Sequence, residues 1–214
     1  MAFFQLDPSS IAARCRAATT PVRIPTLAQS LRRGILGFTA LSVAGFSPWP
    51  ILERWFHQAG ETGLYLACTA VFVALSGLFL HRLILVPGSL RRFYQLFSVA
   101  FIAYAAAWVA LWVWLRGDAG EFWALVGGAV AMGGILALAF GARRVAAGGI
   151  IAGLFALNAV GYYAGRWCEG EFGFHHRYLA MGLWALCYGV GFGAGLGLAF
   201  HLAQREARGI LARS

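Results

Sequence analysis

The sequence predicts an all-α, polytopic membrane protein: six transmembrane helices arranged as three antiparallel hairpins, with both termini cytoplasmic (N-in/C-in). Three observations carry this. Of the 214 residues 60% are hydrophobic and only 12% charged, against about 25% charged in a soluble chain. So little polarity cannot cover a water-facing surface, so lipid must be the solvent over much of it. Six apolar stretches have the right length, and the arginines sit unevenly around them.

A helix rises about 1.5 Å per residue, so a hydrocarbon core of roughly 30 Å takes about 20 mostly apolar residues. The stretches run over 34–52, 62–81, 94–115, 122–142, 146–165 and 178–201, and none holds an acidic or basic residue in its middle. They are too long and continuous for buried strands and lack the alternation of barrel strands. Backbone in lipid must satisfy its own hydrogen bonds, which leaves helices. The first stretch is interrupted near its outer end by Pro48 and Pro50. A cleaved signal peptide fits it poorly, because 33 residues precede the apolar run and no small-x-small site follows.

Three segments organise the chain. Residues 1–33 form a cytoplasmic basic arm, in which Asp7-Pro8 marks a helix start. A short interfacial helix from Pro8 to about Ala18 would carry Arg14 and Arg16 on the inner leaflet. Thr26 with Gln29 forms a capping box leading into the first span. Residues 34–202 form the transmembrane bundle, with loops short enough to make consecutive helices neighbours. Residues 203–214 form a cytoplasmic basic tail.

Orientation follows from the arginines, which supply all 17 basic residues. One set of flanks holds Arg14, Arg16, Arg23, Arg32, Arg33, Arg82, Arg91, Arg92, Arg143, Arg144, Arg205, Arg208 and Arg213. The other holds Arg54, Arg116, Arg166 and Arg177. That bias of 13 to 4 places the termini in the cytoplasm of a bacterial-type inner (plasma) membrane. The acids lie the other way, with Glu53, Glu61, Asp118, Glu121, Glu169 and Glu171 outside. The net charge of +9 is thus a topology signal and an attraction to anionic lipids at the cytoplasmic face; no nucleic-acid partner is needed to explain it.

Glycine, 28 residues in all, dominates the packing pattern. Gly189, Gly193 and Gly197 recur every fourth residue in the sixth span, and Gly149 with Gly153 and Gly161 with Gly165 do so in the fifth. Such columns let helix backbones approach closely in lipid. Packing inside the bundle is favoured over a homo-oligomer interface. A faint 60-residue repeat (Leu78-Phe79-Leu80-His81, Leu138-Ala139-Phe140-Gly141, Leu198-Ala199-Phe200-His201) is what three related hairpins would leave.

The outer face carries the densest polar cluster: His57 and Glu61 in a first loop, then Glu169, Glu171, His175 and His176 in a loop from Arg166 to Arg177, which also holds Cys168. Imidazoles and carboxylates suit Zn²⁺ or Cu²⁺, or acid–base catalysis. No metal-binding spacing is present, however, and a solvated interface is the default. His81 and His201 end the second and sixth spans at one depth, which raises bis-histidine haem ligation. The inner and outer histidine layers are about 37 Å apart at the helical rise, so such haems would sit at headgroup level. Asn158, mid-span, must bond another helix, water or a ligand. The chain lacks lysine, which excludes a Schiff-base chromophore, and mid-membrane ionisable residues, which argues against a proton pump or an intramembrane protease. No dinucleotide or phosphate-cradling loop is present, and the four cysteines imply no disulfide framework. The leading class is a non-enzymatic membrane protein, either transporter-like or a subunit of a membrane complex with a membrane-protein partner. An outer-face enzyme or metal or haem carrier, and a lipid-interacting scaffold, are the alternatives.

Overall fold

The computed structural model describes residues 4–19, 22–47, 53–173 and 175–213, excluding the side chains of 53–62, 64 and 65. Every regular element among them is helical: α1 (Pro8–Arg16), α2 (Leu27–Phe46), α3 (Glu53–Leu80), a 3-10 turn (His81–Leu83), α4 (Leu90–Leu115), α5 (Gly117–Ala139), α6 (Arg144–Phe172), α7 (Arg177–Ala203) and α8 (Arg205–Leu211). Local chemistry sets the ends. Asp7 Oδ1 accepts from the Ser10 amide at 3.0 Å, with Pro8 in the first turn of α1. Thr26 and Gln29 exchange capping-box bonds of 3.1 and 3.2 Å at the start of α2. Arg116 (φ 54°) and Gly117 (φ 58°) both take the left-handed region, reversing the chain between α4 and α5. The Arg116 guanidinium lies 4.8 Å from the Trp112 ring centre and its Nε donates to the Val113 carbonyl at 3.1 Å, which holds this non-glycine residue where it is disfavoured. Gly141 (φ 64°) closes α5, with the Ala142 amide donating to the Ala137 carbonyl at 2.8 Å.

The long helices form a ring in chain order. Each packs on the next, and α7 closes the circuit against α2. Neighbours run in opposite senses: Gly161 faces Gly191 while Gly153 faces Leu198, and Gly34 faces Gly197 while Ser42 bonds Ala185. α7 is the most enclosed of the long apolar helices, with 67% of its most apolar 18-residue stretch buried against at most 44% in the others. Phenylalanine fills the middle: Phe38 lies 4.5 Å from Phe192, and Phe93, Phe97, Phe101 and Tyr104 stack down one face of α4 at 5.2–6.1 Å.

At the end where α2 begins, α1 packs on α8. Leu6, Ile11, Ala12 and Cys15 are buried there, so the apolar face of the arm helix is occupied by protein. Burial also raises the Cys15 thiol pKa. Gln204, 2% exposed, fastens the 81–89 connection to the end of α7. Its Nε2 donates to the Leu83 and Phe200 carbonyls and its Oε1 accepts from the Leu85 amide, each at 2.9 Å.

Among the described residues five helices are long and apolar enough to cross a membrane, through Leu66–Leu83, Leu90–Leu115, Gly117–Ala139, Arg144–Phe172 and Arg177–Ala203. Their outward faces carry Trp114, Leu66, Leu138, Val160 and Val145, all at least 63% exposed, a surface that suits contact with lipid. The chain is therefore compatible with a multi-pass membrane protein. The predicted first span is not among the five, since α2 has Arg32 and Arg33 in its second turn and residues 48–52 lie outside the described ones. Two loops read from sequence are helical: Glu53, Arg54, His57 and Glu61 are on α3, and α6 continues through Cys168 to Phe172. Polar side chains marked those segments as loops, but polarity does not break a helix, and neither segment contains proline.

Candidate ligand-binding vestibule

The ring is tight at the arm end and open at the other, and side-chain size explains the difference. In the arm half, a methyl group added at Gly193 would lie 2.5 Å from the Gly34 carbonyl oxygen, and at Gly197 2.6 Å from that of Ser30. Backbone meets backbone there, with no room between α2 and α7. The other column of α7, Gly191 and Gly195, meets Gly161 and Leu154 of α6 in the same way. Towards the far end α2 and α7 present Phe46, Trp184 and Tyr188, whose rings line the opening. Trp184 stacks on Tyr188 at 5.1 Å, and Phe46 stands edge-on to Trp184 at 4.9 Å.

Inside the far half lies a cavity of about 630 Å³, to which α2, α3, α4, α5, α6 and α7 all contribute. Its walls are chiefly aromatic: Phe46, Phe72, Phe101, Trp108, Trp112, Tyr162 and Trp184. The volume falls in the range of small-molecule sites, about 300–1,000 Å³.

At depth, polar groups from three helices converge. Asn158 of α6, fully buried, donates from Nδ2 to the Tyr104 hydroxyl at 3.0 Å, and the Tyr188 hydroxyl of α7 donates to the same oxygen at 3.4 Å. Tyr104 and Tyr188 both line the cavity. With the amide in this orientation one bond joins the two hydroxyls, so one hydroxyl proton remains for an acceptor outside the trio. Asn158 Oδ1 is buried with no partner. Turning the amide over would instead leave its N–H groups unmet, so the trio keeps unspent hydrogen-bonding capacity in either arrangement.

The rim is charged. Arg166 of α6 forms an ion pair with Glu121 of α5, whose side chain is 9% exposed. Glu169, Arg177 and Tyr178 complete the mouth. Sequence reading treated Glu121 as an ordinary solvated acid; the structure buries it against its arginine. Its signal lay in spacing: Glu121 shares one face of α5 with Ala124, Leu125 and Gly128, all buried.

Of the nominated outer-face residues whose side chains are described, the vestibule takes in one. Glu169 reaches the vestibule mouth, while Glu171, His175 and His176 are exposed at the junction of α6 and α7. His57 and Glu61 fall on α3 with side chains outside the described ones. Among the described residues no group of three or more His, Cys, Asp or Glu side chains is arranged to hold a metal ion. At the arm end, His81 Nδ1 bonds the Gly77 carbonyl at 2.7 Å and His201 Nδ1 lies 3.3 Å from Ser30 Oγ. Each imidazole thus has one nitrogen committed to its own neighbour. No protein-family model, curated protein or solved structure matches the chain.

Proposed function

We propose that the chain is a transporter-like protein of a bacterial-type inner membrane, which binds a small amphipathic molecule in its aromatic vestibule and performs no catalysis. It crosses the membrane six times as three antiparallel hairpins, with α2 as the first crossing and both ends cytoplasmic. Two features support the topology. The arm end collects 13 of the 17 arginines, and the close packing of α2 on α3 and α7 makes it a member of the same ring.

The vestibule carries the functional reading. Its walls take a flat apolar body, its floor offers a hydroxyl proton to a carbonyl or similar acceptor, and its rim offers charge to a polar end. It opens on one side only, because phenylalanines and the α2–α7 seam fill the arm half. A carrier must alternate between such states, and the seam is the contact that opening towards the arm end would have to part.

Binding is tested with menadione, a planar bicyclic aromatic with two carbonyl acceptors. Purified protein in neutral detergent should melt at higher temperature with menadione, by the equivalent of about 2–3 kcal/mol near 100-fold over Kd. Tyr104→Phe and Trp184→Ala should remove most of that gain. No stabilisation by menadione or a graded series of aromatic carbonyl compounds would overturn the reading. For topology, green fluorescent protein fused after Ser214 should fluoresce in cells; activity of alkaline phosphatase fused there would reverse the orientation.

A further inference from the structure

We propose that Arg14, Arg91 and Arg92, at the junction of the arm and the bundle, form a binding site for a phosphate group, carried by an anionic lipid headgroup or by a soluble phosphate ester. The site is independent of the vestibule and lies at the opposite end. A cavity of about 360 Å³ is lined there by Phe4, Gln5, Gly88, Arg91, Arg92 and Gln95. Arg92 feels the positive charges of both Arg14 and Arg91.

Arg14 and Arg91 both repel Arg92, and no described carboxylate relieves them. Only two acids belong to this end of the molecule. Asp7 is taken by Ser9 and Ser10, at 2.5 and 3.0 Å, and Glu206 by Arg143, at 2.7 Å. Arg14 gives Nη2 to the Gln5 side chain, but its Nη1 is buried with no partner. Arg14 is held beside the cavity by Gln5, which lines it, so one anion between Arg91 and Arg92 would also offset the charge of Arg14. The backbone adds a second sign. Gln5 is held at φ 51°, a conformation disfavoured outside glycine, and such strain gathers at binding sites. Guanidinium forks match phosphate oxygens two at a time, while Gln5 and Gln95 supply further donors. On the topology proposed above, this face meets the cytoplasmic leaflet.

The test melts the full protein in neutral maltoside detergent with dioleoyl-phosphatidylglycerol, with dioleoyl-phosphatidylcholine and with sodium phosphate. Wild type is compared with R91Q/R92Q and with R23Q/R144Q, which removes the same charge from exposed positions elsewhere at this end. Each lost guanidinium should weaken binding roughly fivefold, so the first pair should lose about 25-fold and the second pair less than about twofold. Selective loss with phosphatidylglycerol alone identifies a lipid headgroup, and selective loss with sodium phosphate identifies a soluble ester. Equal losses in the two double variants, or binding of neither probe, would overturn the proposal. Should R91Q/R92Q fail to fold, R14Q on the arm helix gives the same comparison at about fivefold.

Discussion

Replacing Gly193 by alanine tests the seam on which the one-sided opening depends. The new methyl group would stand 2.5 Å from the Gly34 carbonyl oxygen and 2.9 Å from the Ile35 Cα. Ordinary carbon contacts lie near 3.5–4.0 Å, so α2 and α7 must part by about 1 Å. Neither neighbour can swing aside, because both are backbone. A gap of that size forfeits about a quarter to a half of each dispersion contact along the seam, which includes Gly189 against Thr39 and Gly197 against Ser30. Overpacking costs about 1–3 kcal/mol, while alanine regains up to about 1 kcal/mol of helix preference. The net expectation is a loss of about 1–2 kcal/mol. Gly134→Ala is the control: nothing lies within 4 Å of its added methyl, so only the favourable term, about 0.5–1 kcal/mol, remains. The two variants should differ by about 1.5–3 kcal/mol, or roughly 3–12 °C in melting temperature for a chain of this size. Thermal unfolding in detergent, followed by size-exclusion chromatography, measures it. If Gly193→Ala melts with or above Gly134→Ala, the seam does not hold the ring closed.

Other perturbations probe other contacts. Gln204→Leu strips the Leu85 amide and the Leu83 carbonyl of their partner, at about 1–3 kcal/mol for each buried group left unmet; faster protease cleavage within 81–89 should accompany the lower melting temperature. Arg166→Gln leaves the Glu121 carboxylate buried beside no cation, lowering stability at neutral pH, and adding Glu121→Gln should restore most of the loss. Equal stability of the single and double variants would deny the pair its role. Asp7 is held below the usual carboxylate range by hydrogen bonds from Ser10 and Ser9. Its capping contribution, about 1 kcal/mol, is therefore fully present above the free-carboxylate pKa of about 3.9. It fades only as the pH falls below that value, and the stability difference between wild type and Asp7→Ala should close over the same acid range.

Much of the helical framework is legible because apolar length alone reports it: the runs at 94–115, 122–142, 146–165 and 178–201 lie within, or within three residues of, α4 to α7. Caps at Asp7 and Thr26 are equally readable, since they depend on residues three positions apart. What escapes is whatever depends on the partner. A glycine column is visible in the spacing of 189, 193 and 197, but nothing in it says that α2 is opposite. Glu121 and Arg166 stand 45 residues apart, so their pairing exists only once α5 and α6 are in place. Asn158 is readable as a buried amide with a bond to make; that Tyr104 and Tyr188 share it requires three helices at once. The loops were misjudged for a related reason, because polarity on α3 and late α6 describes what surrounds a segment and not how its backbone folds.

Because the ring is completed by the last of its long helices, a nascent chain that has not yet reached Arg177 has two smooth glycine-bearing faces, on α2 and on α6, and nothing to cover them. Those faces of the growing protein stay uncovered until α7 has been synthesised. Ribosome stalling or truncation in that interval would leave α2 and α6 free to associate with foreign helices or to attract membrane proteases. Both faces are covered only by α7, so substitutions at its glycines should lower cellular abundance even where mature function is spared.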